Sequence, residues 1–112
     1  MKIFFINKGL EEELCSFETC KTTRGLDMAK KIALRLQQAY AAVCLEDLRN
    51  APGRWHELHE NRKGQFGVSL VEPQRMIFVP IGDPTDYTEN NAIKWDKIYA
   101  IEIQDIINYH GR

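Results

Sequence analysis

The sequence predicts an α+β domain with helices packed on one face of a small, curved antiparallel sheet, in the order β-α-α-β-β-β-β. Three observations carry this expectation. Apolar residues recur at three- and four-residue steps between Leu10 and Val43. Between Trp55 and Phe78 they recur at alternate positions, in runs separated by turn-forming residues. Short apolar runs, KIFFI at 2–6 and IYAIEI at 98–103, stand near the two ends of the chain.

The first of these runs reads as an opening strand bounded by Asn7, which is also a suitable N-cap for the helix that follows. Leu10, Leu14 and Phe17 have helical spacing, and Glu11, Glu12 and Glu13 lie where the helix dipole favours anions, so a first helix is expected over 8–18. A Thr-rich link leads to a second helix of about five turns, with Thr22 or Thr23 as its cap. Its apolar stripe is Leu26, Ala29, Ala33, Leu36, Tyr40 and Val43, and its polar face includes Lys30, Lys31 and Arg35. A short turn of helix follows Leu45, and Pro52-Gly53 breaks it. Strands are then expected over 54–60, 65–71 and 75–80, joined by turns at 61–64 and 72–74 as an antiparallel meander. Residues 81–97 read as a long surface loop, 98–103 as the last strand, and 105–110 as a short tail.

With 112 residues the chain has the length of one domain, spanning 1–112, and 44% hydrophobic with 28% charged residues is ordinary globular composition. No apolar run approaches the length of a membrane span, and the apolar stretch in MKIFFIN is short for a signal peptide, so a cytoplasmic location is expected. The three cysteines, Cys15, Cys20 and Cys44, form no CxxC pair or Cys/His quartet. They are expected as free, mostly buried thiols, with neither metal nor cofactor. The net charge of −1 excludes a protein that binds nucleic acid through its overall charge. Basic residues do gather in the middle: Arg54, Arg62, Lys63 and Arg75 outnumber Glu57, Glu60 and Glu72 there, while acidic residues dominate after 76.

The same middle segment holds most of the reactive side chains. His56 and His59 carry imidazoles, the side chain best suited to proton transfer near neutrality. Arg75 carries a planar fork of donors that matches a phosphate oxygen pair. Tyr109 and His110 add a hydroxyl and a third imidazole near the end of the chain. On a strand, the three-residue spacing of His56 and His59 sends them to opposite faces unless a bulge intervenes. Taken by themselves, these residues indicate an anion-handling site on an α+β domain.

The segments KGLEEEL, WHELHENRKGQFGVSL, QRMIF and IYAIEIQDIINYH resemble, in their order and spacing, the HigB-type killer proteins of the RelE/ParE toxin superfamily. The resemblance runs nearly end to end and implies the small RelE-like sheet with two N-terminal helices. It also implies the toxin of a toxin–antitoxin pair, one that cleaves messenger RNA at the ribosome. Carried over by position, the family's first site histidine falls on His56, its phosphate-binding arginine on Arg75, and its terminal pair on Tyr109 and His110. The family's site lysine falls on His59, which is a departure, because histidine is only partly charged at pH 7. The negative net charge is a second departure.

The reaction so implied is metal-independent attack of a ribose 2′-OH on the adjacent phosphate. It needs a base, an acid, and a cation for the charge that builds on phosphorus oxygens. Arg75 would hold the phosphate, His56 or His59 would serve as base and His110 as acid, and Tyr109 would contact a base or ribose. Arg62 and Lys63 are the candidate RNA-binding cations. The implied partners are a helix-turn-helix antitoxin, messenger RNA in the ribosomal A site, and ribosomal RNA, with Lys30, Lys31 and Arg35 as candidate contacts. Two alternatives stay open: a non-hydrolytic ParE-like toxin acting on DNA gyrase, and an inactive relative that only binds an antitoxin.

Overall fold

The structure is a computed structural model that describes residues 1–108. It is an α+β fold in which a five-stranded sheet of order β1-β7-β4-β3-β2 is covered on one face by helices. The strands are β1 Lys2–Phe5, β2 His56–Glu57, β3 Phe66–Ser69, β4 Gln74–Pro80 and β7 Ala100–Asn108. A separate hairpin pairs β5 Thr88–Glu89 with β6 Ala92–Ile93.

The sheet is mixed, which corrects the antiparallel expectation. β2, β3 and β4 do form an antiparallel meander, but β1 runs parallel to β7, with Lys2 opposite Ala100 and Phe5 opposite Ile103. The final strand therefore lies inside the sheet, between the first strand and β4. It is also longer than 98–103, because Ile106, Ile107 and Asn108 pair with Met76, Arg75 and Gln74. A register shift beside Ile77 and Phe78 leaves Gln104 without an opposite residue. It lets β7 keep Ile101 and Ile103 in the core and still follow β4 to its start.

Three helices, not two, precede β2: α1 Lys8–Cys15, α2 Phe17–Arg24 and α3 Leu26–Ala41. Asn7 caps α1 through Leu10 N at 2.8 Å. The stretch expected as a Thr-rich link is α2, because Ser16 caps it through Thr19 N and Cys20 buries its inner face. Here packing overrides the weak helix propensity of threonine. Gly25, at φ +92°, turns the chain from α2 into α3, a conformation that glycine adopts without strain.

The buried stripe of α3 also differs from the expected one. Met28, Ala29, Ile32, Arg35, Leu36 and Ala39 face the sheet, while Leu26, Tyr40 and Val43 are exposed. Counting Arg35 as a surface residue rotates the stripe by about one position. Its side chain is instead inserted behind β3. Arg35 Nε donates to Ser69 O at 2.8 Å, and Nη1 donates to Pro52 O at 3.3 Å and to Gln38 Oε1 at 3.1 Å. Arg35 is thus withdrawn from the residues available to an antitoxin or to RNA.

The core between helices and sheet is aromatic at its centre. Phe66 stacks on Phe78 at 5.5 Å, and Trp55 and Trp95 meet these rings edge-on at 5.7 and 5.1 Å. Residues 81–97 are more ordered than a surface loop. Asp83 caps a single helical turn, α4 Pro84–Tyr87, and Asn90 and Asn91 both take positive φ to close the β5–β6 hairpin. Of the three free thiols only Cys20 is buried; Cys15 is exposed and Cys44 is half-buried. Among the described residues no helix is long and apolar enough to cross a membrane.

Gly53 joins the Arg35 anchor to the strand that follows. Its φ is +119°, and a Cβ there would fall 2.9 Å from Arg35 Cζ and Nε and from Val68 Cγ2. Gly64 also has positive φ, yet a Cβ there meets nothing within 4 Å. Gly53→Ala is therefore expected to destabilise the fold by about 2–4 kcal/mol, the sum of backbone strain and overpacking. Gly64→Ala should cost only the strain, about 1–2 kcal/mol. Equilibrium urea unfolding of both variants checks the difference, and equal costs would remove the steric argument.

Candidate functional site

Strand pairing places several of the candidate residues on the sheet face turned away from the helices. His56 is opposite Gly67, Gly67 opposite Ile77, and Ile77 opposite Asp105, so these four share a row across the sheet. Ser69, Arg75 and Ile107 make the next row toward the start of β4. Leu58 leans over the same face, since its Cδ2 lies 3.3 Å from where a Gly67 Cβ would be. The missing side chain at Gly67 also lets the His56 ring lie over β3, with Cε1 3.9 Å from that point. His56 and Arg75 are two strands and one row apart, about 12 Å between their backbones by ordinary sheet spacing.

The orientation of His56 follows from the loop before it. Gly53 O accepts from Ser69 N at 2.8 Å, and Arg54 takes a left-handed φ of 57°. Arg54 O is paired with His56 Nδ1. A carbonyl only accepts, so Nδ1 carries the hydrogen in the neutral ring and Nε2 keeps its lone pair. The half-buried imidazole is thereby held in the tautomer a general base requires.

Arg75 is 5% exposed, unlike the usual surface arginine. Its Nη1 donates to Glu72 Oε2 at 2.8 Å and to its neighbour Gln74 O at 3.2 Å. Its Nε is buried and has no hydrogen-bond partner among the described residues, and the same holds for Ser69 Oγ on the facing strand. The hydrogen bond from Arg75 holds the Glu72 carboxyl below the usual carboxylate range, and the charges of Arg75 and Arg54 act the same way. The Glu72 side chain itself is 62% exposed.

The other expected site residues lie elsewhere or outside the described part of the chain. His59 is exposed and precedes the single 3-10 turn Glu60–Arg62, beyond the end of β2. Arg62 is half-buried and tied to Gln65 Oε1 at 2.9 Å. Lys63 is exposed and lines a groove with Glu57, Gly64 and the β5–β6 hairpin, away from Arg75. Tyr109 and His110 lie outside the described residues. Ser69, Glu72 and Asp105, absent from the sequence-based candidates, belong to the neighbourhood of Arg75 and His56. The alternation of β3 and β4 signals the first, since Ser69 is a polar residue on a strand whose neighbours are buried. No spacing rule signals the other two, because a turn and a bulge bring them in.

The Glu72–Arg75 pair has a definite pH signature. Glu72 has a depressed pKa in the folded state, so the pair contributes stability above the ordinary carboxylate range and loses it as pH falls through the folded value. NMR titration of the side-chain carboxyl should place the Glu72 midpoint below that of free glutamate, and Arg75→Met should return it upward. An unshifted midpoint in the unsubstituted protein would remove the ion pair from the description of the site. No known family model matches the chain, and no curated protein matches it.

Proposed function

We propose that the protein is the toxin of a toxin–antitoxin pair, an endoribonuclease of the RelE/HigB kind that cuts messenger RNA at the ribosome. The observation that carries this reading is the buried, incompletely bonded Arg75, on the same sheet face as a histidine whose Nε2 is left free to accept a proton. A buried guanidinium in a partly dry setting stabilises charge developing on a phosphate far better than one in water. His56 Nε2 would take the 2′-OH proton, and Arg75 would hold the non-bridging oxygens while the 2′-oxygen bonds to phosphorus. The bond to the 5′-oxygen then breaks, and that oxygen takes a proton from an acid, which the resemblance assigns to His110.

Supporting the assignment, Asn108, the last described residue, is opposite Gln74, next to Arg75. Tyr109 and His110 follow it directly in sequence. His59 is not needed as the base in this arrangement, since His56 already shares the face of Arg75. The partners this reading entails are a helix-turn-helix antitoxin and message in the ribosomal A site. Lys30 and Lys31, with Asp27 and beside Leu34, Leu70 and Val71, offer a charged and apolar groove on which an antitoxin segment or ribosomal RNA would bear.

Mapping messenger RNA 5′ ends after expression, with and without translating ribosomes, tests the proposal. Arg75→Ala should lower cleavage by about 10²–10³-fold while the fold is retained. His56→Ala should lower it by about 10²–10⁴-fold. Undiminished cleavage by folded Arg75→Ala protein would overturn the assignment. Toxicity that survives both substitutions would point instead to a non-hydrolytic, gyrase-directed toxin.

A further inference from the structure

Three groups from separate parts of the chain converge on the Glu72 carboxylate. Arg75 donates to it from β4, Arg54 faces it with a positive charge from the loop before β2, and the Ser69 hydroxyl lies close enough on β3 to favour its ionised form. Among the described residues, however, neither Ser69 Oγ nor Arg75 Nε has a hydrogen-bond partner. Both residues are more than nine-tenths buried. A buried hydroxyl and a buried guanidinium nitrogen left unpaired on facing residues are each costly to a fold, and a ligand that accepts from both would remove that cost.

Two positive charges and a hydroxyl around a carboxylate form a donor set that suits a tetrahedral oxyanion better. A carboxylate presents two oxygens, whereas a phosphate presents three or four and carries more charge. Glu72 occupies the place on a turn, with most of its side chain in solvent, so it can swing away without disturbing a strand. The Ser69 main chain is held independently, its N–H by Gly53 O and its carbonyl by Arg35 Nε, which leaves the hydroxyl free for another partner.

We propose that Ser69, Arg75 and Arg54 form a phosphate subsite whose resident occupant is the Glu72 carboxylate, and that a substrate phosphate binds by displacing it. Glu72 is then a built-in competitor that weakens unselective binding of phosphate, and Ser69 is a phosphate-binding residue. This extends the reading of Arg75 as the phosphate-holding cation and does not depend on cleavage.

Titration of the full chain with inorganic phosphate, at constant ionic strength and followed on the Arg75 Nε–H resonance, tests it. Glu72→Gln should tighten phosphate binding about threefold or more, because the competing exposed ion pair is removed. In the Glu72→Gln background, Ser69→Ala should weaken it by about tenfold, the loss of one hydrogen bond to a charged group. Ser69→Ala should leave the unfolding midpoint unchanged or raised, as a merely structural serine would not. Phosphate affinity that is the same with and without the Glu72 carboxylate, or with and without the Ser69 hydroxyl, overturns the proposal. The titration involves no RNA, so a chain that binds phosphate in this way but cuts no message would overturn the nuclease reading alone.

Discussion

The guanidinium of Arg35 ties together three parts of the chain. It reaches from the middle of α3 to the end of β3 through Ser69 O, and to the loop before β2 through Pro52 O. Pro52 O also accepts from Gln38 Nε2 and Trp55 Nε1, so the loop is fixed from the helix and from the core at once. The close approach needed for this is possible only because Gly53 has no side chain. From there the chain enters Arg54 in a left-handed conformation, and the Arg54 carbonyl orients His56. A buried arginine is costly unless its donors are used, and here Nε and Nη1 both are. The position of the candidate base therefore depends on a helix residue on the other side of the sheet.

The open face of the sheet has a different character from the aromatic core behind it. Leu58 and Ile77 are buried there although neither belongs to the core cluster, and they form an apolar floor between His56 and Arg75. Polar groups stand at the edges of that floor: the histidine on β2, the Ser69–Arg75 pair across β3 and β4, and Asp105 on β7. An apolar floor lowers the local dielectric response and strengthens the field of each charge at its rim. The Glu72 carboxylate pairs with the Arg75 guanidinium. Placing this counterion on a turn pairs the Arg75 charge without burying a second one.

Much of the candidate site was legible as residue types but not as an arrangement. Histidines and an arginine within two short strands marked the segment, and alternation separated His56 from His59. The face shared by His56 and Arg75 follows from strand register, which hydrophobic alternation within each strand specifies only for its own inward residues. Ser69 and Glu72 were overlooked because serine on a strand and glutamate before proline are ordinary surface residues in isolation. Their meaning comes from burial and from the facing strand. Arg35 misled in the opposite sense: a basic residue at a helical position reads as solvated, and only the carbonyls waiting behind β3 make its burial favourable.

The sequence by itself determined the α+β class, the meander of three consecutive strands and the helical character of the stretches that became α1 and α3, but not of α2. These rest on short-range periodicity and caps, which are local properties of the chain. Tertiary structure decided that β1 runs parallel to the final strand, that this strand lies inside the sheet, and that it reaches Asn108 rather than stopping at Ile103. Those are pairings between residues distant in sequence, 98 positions apart for Lys2 and Ala100 and 34 for Gln74 and Asn108, and the backbone donors and acceptors that make them are the same at every residue. Side-chain patterns mark which face of a strand is buried, but they do not name its neighbour. The same limit applies to the candidate site, whose arginine and histidines were visible in the sequence and whose counterion and hydroxyl were supplied by the fold.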